Sequence, residues 1–245
     1  MVCLHAHDCN HFHPVLPVLQ KAAFWLYNLP VKKRCIIVGA GEFVPELFEK
    51  KEDDYVIAAD GGYEYLKRCS AKPDLVIGDF DSLGRIPAGE NVEVFPQRKD
   101  DTDLMLAAKR AVSRYMDPIV IHGALGNRTD HSFAAVQTLC FIARSNLHGF
   151  LIGRPFSMSV IQHGALEFDS SFDGMISVFA LEKCSGVTIH GLEYCLDEAG
   201  LDIDCPVGVS NAFTGKEASV SVKNGLLLVL WESRSGQLPR FVDFD

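Results

Sequence analysis

Apolar residues in this chain come in short runs, and each early run stops at a glycine or an acid. Cys35–Gly41 reads CIIVGAG, Tyr55–Gly62 reads YVIAADGG, and Asp74–Ser82 reads DLVIGDFDS. VEVF at Val92–Phe95, PIVIHGALGNRTDH at Pro118–His131 and GFLIG at Gly149–Gly153 continue the series. Between them lie stretches of helical spacing. Phe43–Lys50 and Tyr63–Cys69 are predicted helices. So are Asp103–Tyr115, with Leu104, Ala108, Ala111, Val112 and Tyr115 on one face, and His131–Ser145, with Phe133, Val136, Gln137 and Cys140 along one side. Strand and helix patterns that alternate in this way predict an α/β fold, a parallel sheet flanked by helices on both faces.

After about Arg154 the texture changes. SVIQHG, ALEF, MISVFAL, VTIHG and ASVSVKNGLLLVLWE are β-type runs punctuated by Gly, Asn, Asp and Ser. Ala218, Val220 and Val222 alternate with polar residues, and Asn224-Gly225 is the sequence of a hairpin turn. The expectation is a smaller antiparallel β-sandwich or barrel domain. The divisions are residues 1–33 as an N-terminal extension, 34–154 as the α/β domain and 155–245 as the β domain. Residues 1–33 are expected to be poorly ordered. Cys3, His5, His7, Asp8, Cys9, His11 and His13 offer a rival reading as a metal site, but their spacing matches no closed zinc motif. Leu16, Leu19, Ala23 and Leu26 are spaced for one short amphipathic helix.

Composition narrows the function. A formal charge of −9 argues against a sequence-independent nucleic-acid binder, which needs an electropositive face. It leaves phosphate ligands open, because a bound divalent cation reverses the local field. The eight cysteines include no CxxC pair and read as reduced thiols of a cytoplasmic protein. No apolar run is long enough for a membrane span, and Pro14, Pro17, Gln20 and Lys21 break up any signal-peptide core.

The chemistry gathers where the apolar runs end. In open α/β sheets ligands collect outside the carboxyl ends of the strands, and Asp60, Asp79, Asp81, Asp103, Arg128 and Asp130 all follow predicted strands. Asp79 and Asp81 stand two apart, so on extended backbone both face the same way, with Phe80 free to point into the core. An isolated Asp-x-Asp is more simply a turn and a helix cap. Four acids converging would repel, and hard oxygen ligands of that kind suit Mg²⁺. In KDDTD, Lys99–Asp103, either Asp100 or Thr102 caps the next helix, whose N-terminus together with Lys99 and Arg98 favours a phosphate. Gly123 and Gly126 let backbone approach an anion, and Arg128 can clamp a phosphate with Asp130 orienting it; a surface salt bridge is the plainer alternative. His131 reads equally as a site residue or as part of a helix start. The GAGE loop, Gly39–Glu42, is weak evidence, since neither the dinucleotide nor the P-loop glycine pattern is present.

Taken in order, ADGG at Ala59–Gly62, GDFDS at Gly78–Ser82, KDDTD at Lys99–Asp103, GNRTDH at Gly126–His131 and SNAFTGKEASVSV at Ser210–Val222 resemble the thiamine pyrophosphokinase family. The resemblance covers about residues 35–232. It implies Mg²⁺-dependent transfer of a diphosphoryl group from ATP to the hydroxyl of thiamine, giving thiamine diphosphate and AMP. It implies Asp60, Asp79, Asp81 and Asp103 as the acidic centre, with Asp79, Asp81 and Asp103 on the metal. Lys99, Thr102, Gly126, Arg128 and Asp130 would serve ATP, and Ser210 and Asn211 would touch thiamine. It further implies a homodimer with the active site between subunits. Either Asp103 or Asp79 would take the hydroxyl proton. The acids alone also allow a two-metal phosphohydrolase or a nucleotide or thiamine-derivative sensor without turnover.

Overall fold

The computed structural model describes residues 32–81, 84, 86, 87, 91–126 and 128–244. The expected disorder, the rival metal site and the short helix within residues 1–31 lie outside the described residues. Cys35–Val38 (β1), Tyr55–Ala59 (β2), Leu75–Gly78 (β3), Val92–Val94 (β4), Ile119–His122 (β5) and Gly149–Ile152 (β6) pair in parallel, in the order β4-β3-β2-β1-β5-β6. Three helices cover them among the described residues: Gly62–Arg68 (α1), Asp103–Ser113 (α2) and Thr129–Arg144 (α3).

Alternation along β1 explains the layering. Cys35 and Ile37 pack with Ala107, Ala108 and Ala111 of α2 and Leu139 and Ile142 of α3. Ile36 and Val38 pack with Leu66 of α1 and with Phe80. Successive strand side chains point to opposite faces, so α2 and α3 cover one face and α1 the other. The small side chains of α2 let it lie close on the sheet. All four residues of β1 are buried, as are those of β3, β5 and β6, which is why these strands are continuous apolar runs.

The β half consists of Phe156–Phe168 (β7), Met175–Ala180 (β8), Cys184–His190 (β9), Leu196–Leu201 (β10), Gly208–Ala212 (β11), Ala218–Glu232 (β12) and Arg240–Asp243 (β13). β7 runs antiparallel to β6, so the parallel sheet continues directly into this half. β12 pairs with β7 along nearly its whole length; its first part also pairs with β9 and its second part with β8. The register shifts between Val222 and Leu226. Ile176 and Val178 of β8 meet Val187 and Ile189 of β9 in one core with Phe168, Val220 and Trp231. The β7–β12 pair therefore passes from one layer of the sandwich to the other at the irregularity, as bulges allow.

Four expectations change. Asn224-Gly225 is not a hairpin turn but sits inside the bulge of an unbroken β12. SVIQHG and ALEF belong to one strand, β7. Phe43–Lys50 is not a helix: Val44 is extended, and only Pro45–Leu47 form a single 3₁₀ turn. β10, β11 and β13 were not anticipated; β10 is largely exposed and lacks an apolar run. No helix among the described residues is long and apolar enough to cross a membrane.

Candidate active site

The sheet order reverses direction between β1 and β5, so the loops leaving their carboxyl ends part and open a crevice. Backbone bonds lace these loops: Gly39 N–H donates to His122 O at 2.8 Å, Gly41 N–H to Gly123 O at 2.6 Å and Glu42 N–H to Leu125 O at 2.7 Å. A β-carbon on Gly39 would lie 2.7 Å from Gly123 O, so the approach requires glycine. The resulting cleft has a volume of about 1040 Å³. Asp60, Asp79, Asp81 and Asp103 line it together with Lys99, Thr102, Gly126 and Arg128.

Each acid is set by its strand end. Asp60 follows β2 with a left-handed φ of 48°, and its N–H donates to Ile77 O at 2.7 Å. Asp79 and Asp81 follow β3, but not on extended backbone. Phe80 between them has φ 58° and is buried, and Asp81 N–H donates back to Asp79 Oδ1 at 3.2 Å. A tight turn, not strand alternation, brings the two carboxylates to one side. Asp60, Asp79 and Asp81 offer oxygens that all lie within 4.8 Å of one another. Three hard carboxylate donors this close fit a small divalent cation.

Asp103 stands outside this trio, across Lys99. Lys99 Nζ donates to Asp79 Oδ2 at 3.0 Å and lies 3.1 Å from Asp103 Oδ1. The second contact is an ion pair without hydrogen-bond geometry, and Asp103 Oδ1 is buried with no hydrogen bond. The two acids respond oppositely. The hydrogen bond from Lys99 holds the Asp79 carboxyl below its ordinary range. Burial pushes Asp103 up, and the nearby charges of Asp79 and Asp60 add to this while Lys99 opposes it. For Lys99 burial works against the charged form, but the two carboxylates outweigh it and raise its pKa.

Thr102 caps α2, its Oγ1 accepting from Met105 N–H at 3.1 Å; of the two expected caps it is the one used. The helix thus presents its N-terminal end to the cleft. Arg128 lies on the lip, mostly exposed, and its guanidinium pairs with Asp130 at 2.7 Å. Asp130 does not line the cleft, whereas His131 does. Ser210 and Asn211 lie on β11 and do not line it either. The Asn211 side chain is buried and hydrogen-bonded through both its oxygen and its nitrogen. Its Oδ1 accepts from Tyr194 N–H at 3.0 Å and Ala212 N–H at 2.9 Å, and its Nδ2 donates to Tyr194 O at 2.7 Å.

Some lining residues carried no adequate sequence signal. Gln97 Nε2 donates to Asp81 Oδ2 at 3.2 Å, and Tyr65 stacks on Phe43 at the wall. The Gly39–Glu42 loop also lines the cleft. Its position after the first strand at the order reversal is the feature that marks it, and strand order is not visible in sequence.

An acidic cleft at the carboxyl edge of a parallel sheet, fitted for a divalent cation and joined to a β-sandwich, defines an α/β protein of the class that handles phosphorylated ligands. Comparison with known proteins narrows this. Residues 48–151 match the family model for "Thiamin pyrophosphokinase, catalytic domain" and residues 165–227 match that for "Thiamin pyrophosphokinase, vitamin B1 binding domain". The chain belongs to the thiamin pyrophosphokinase family and is an enzyme of that kind. It is 25% identical over 201 residues to the thiamine pyrophosphokinase of Bacillus subtilis (strain 168), covering 78% of this chain and 94% of that one. The crystal structure of a Bacillus subtilis thiamine pyrophosphokinase superposes with a TM-score of 0.74 at 24% identity, over 82% of this chain and 99% of the other. That from Geobacillus thermodenitrificans gives 0.70 at 26% identity, over 82% and 98%.

Proposed function

We propose that the cleft binds ATP with Mg²⁺ and transfers its terminal diphosphoryl group to the hydroxyl of thiamine, releasing AMP. One observation carries this reading: acids from the segments that follow β2, β3 and β4, two glycine loops and the N-terminus of α2 meet in a single cleft. Asp60, Asp79 and Asp81 hold the cation, with Asp103 beside them, and when bound it offsets triphosphate charge that the carboxylates alone would repel.

The rest falls to the chain itself. The Gly39–Glu42 and Gly123–Gly126 loops take the nucleotide close to backbone. Lys99 and Arg128 stabilise charge on the phosphoryl oxygens, and the Thr102-capped end of α2 adds its dipole. Asp130 holds the Arg128 fork in place. The thiamine oxygen attacks the β-phosphorus, the bond from that phosphorus to the α–β bridging oxygen breaks, and AMP leaves. Asp103, whose Oδ1 is buried and makes no hydrogen bond, takes the hydroxyl proton once the Lys99 ammonium, 3.1 Å away, turns to the phosphate.

Ser210 and Asn211 belong to a thiamine-binding edge that serves the cleft of a second subunit. Two features support a homodimer. β11 pairs with β8 alone among the described strands, its other edge covered only at Ala212 by Glu193, and Met175, Val207 and Val209 expose apolar surface there. The free thiols of Cys35, Cys69, Cys140, Cys184, Cys195 and Cys205 suit a reducing cytoplasm.

The test is AMP release from protein, Mg²⁺ and ATP with and without thiamine. AMP that appears only with thiamine is the expected result. Nucleotide breakdown without thiamine would indicate a phosphohydrolase, and no AMP at all a sensor. Asp81→Asn is expected to lower turnover roughly 100-fold or more with an unchanged circular dichroism spectrum.

A further inference from the structure

Lys99 sits where a soluble chain seldom puts a lysine. Its side chain is only 13% exposed, and it faces Asp79 at 14% and Asp103 at 22%. The two carboxylates belong to different elements, the turn after β3 and the first residue of α2, and Lys99 comes from the loop between β4 and α2. Asp103 also feels the charges of Asp79 and Asp60. Like charges gathered in a half-buried cleft are little screened by salt, so without a positive charge the start of α2 and the turn after β3 would be driven apart. Lys99 makes the ion pairs to both acids.

We infer that Lys99 is a built-in counterion, a positioning residue that stands in for the divalent cation in the cation-free cleft and competes with it for the carboxylates. The inference rests on the metal-dependent reading above, but it concerns the free protein and is tested without substrate. A flexible four-carbon stem and a compact point charge suit this duty, since the ammonium can leave the acids for a phosphate oxygen when the nucleotide arrives. Arginine, with its planar fork, would be harder to displace.

A plain structural brace would behave differently. If Lys99 only held Asp79 and Asp103 in place, its loss would let them drift and weaken cation binding. A competing counterion predicts the opposite sign. The experiment titrates Mn²⁺ alone, followed by its electron paramagnetic resonance, into nucleotide-free wild type, Lys99→Met, Lys99→Gln and Lys99→Arg. Lys99→Met and Lys99→Gln are expected to bind Mn²⁺ about tenfold more tightly than wild type, because a repelling unit charge has gone. Lys99→Arg is expected to bind no more tightly than wild type. Without cation, thermal unfolding of the two neutral variants should occur below wild type, and Mn²⁺ should raise their midpoints more than it raises that of wild type. Lys99→Gln keeps a hydrogen-bond donor toward Asp79, so it gives an answer even if Lys99→Met does not fold. Equal or weaker Mn²⁺ binding by the neutral variants would overturn the inference. Failure of the enzymatic reading would show separately, as wild-type protein that forms no AMP from ATP and thiamine.

Discussion

Phe80 decides how Asp79 and Asp81 meet. A bulky side chain at φ 58° is strained by roughly 1–3 kcal/mol. Burying its ring against Leu66 and Val76 returns about 1.5–3 kcal/mol, enough to hold the turn. That the acids follow apolar runs is plain in the sequence; that they meet through a left-handed turn is not, because nothing in the pattern marks the sign of φ at a phenylalanine. Asn211 makes the same point for a side chain. Its hydrogen bonds tie β11 to Tyr194, 17 residues earlier, a partner no local motif reveals. Asn211→Ala removes the partner of backbone groups of Tyr194 and Ala212 at a partly exposed site, which is expected to cost roughly 1 kcal/mol in urea unfolding. On the proposed placement of thiamine, the same variant raises the thiamine KM and leaves the ATP KM near wild type. An unchanged unfolding midpoint would show that these bonds do not hold the edge.

At the scale of elements, the inner strands of the parallel half were legible because double-sided burial forces continuous apolar runs, and α2 and α3 because helical spacing recurs over several turns. The face expected for α3 is the wrong one, since Phe133 and Gln137 are exposed while Ala135, Leu139 and Ile142 are buried, and Tyr115, expected on the α2 face, is exposed. The Phe43–Lys50 segment misled because its aromatic residues, Phe43 and Phe48, pack beside His122 from a loop rather than from a helix. β10 and β11 stayed hidden because exposed edge strands bury too little to leave a pattern. The seating of α1 is also invisible in composition yet stringent in space. A β-carbon on Gly62, the first residue of α1, would lie 1.9 Å from Val38 O, a backbone atom of β1 that cannot swing away. Gly62→Ala must push α1 off the sheet and is expected to cost about 3 kcal/mol or more. Gly215 has φ 72° and open space around it, so Gly215→Ala should cost only about 1 kcal/mol, from backbone conformation alone. Comparing the two by urea unfolding separates contact from conformation. Equal losses would contradict the packing account.

Over the whole molecule one sheet path links the parallel and antiparallel halves, and two histidines at different places in it make stability depend on pH in opposite senses. His122 ends β5, and burial, with some help from the charge of Arg34, pushes its pKa down to about 4. Below about pH 6.5 the unfolded chain takes up a proton that the folded chain refuses, so this group withdraws stability as pH falls, on the order of 3 kcal/mol by pH 4. His148 lies between halves of the chain: Nδ1 is 3.0 Å from Asp117, Nε2 is 3.1 Å from Asp243 on β13, and the ring stacks on Phe241. Burial works against its charge, but the two carboxylates prevail and raise its pKa, while Lys32 also pairs with Asp117. A carboxylate at each ring nitrogen suits the imidazolium, which donates from both. Its contribution is complete below the unfolded value near 6.5 and is lost as pH rises through the raised folded value. Stability measured by urea unfolding should therefore peak near pH 6.5. His122→Phe should flatten the acid side above pH 4, and His148→Gln should remove part of the fall on the alkaline side, with β13 exchanging its amide hydrogens faster at pH 6. A His148→Gln profile that parallels wild type above pH 6.5 would mean that the ring carries no charge between its two acids, leaving β13 to its pairing with β7, the Arg240–Glu167 ion pair and the packing of Phe241 on Phe150.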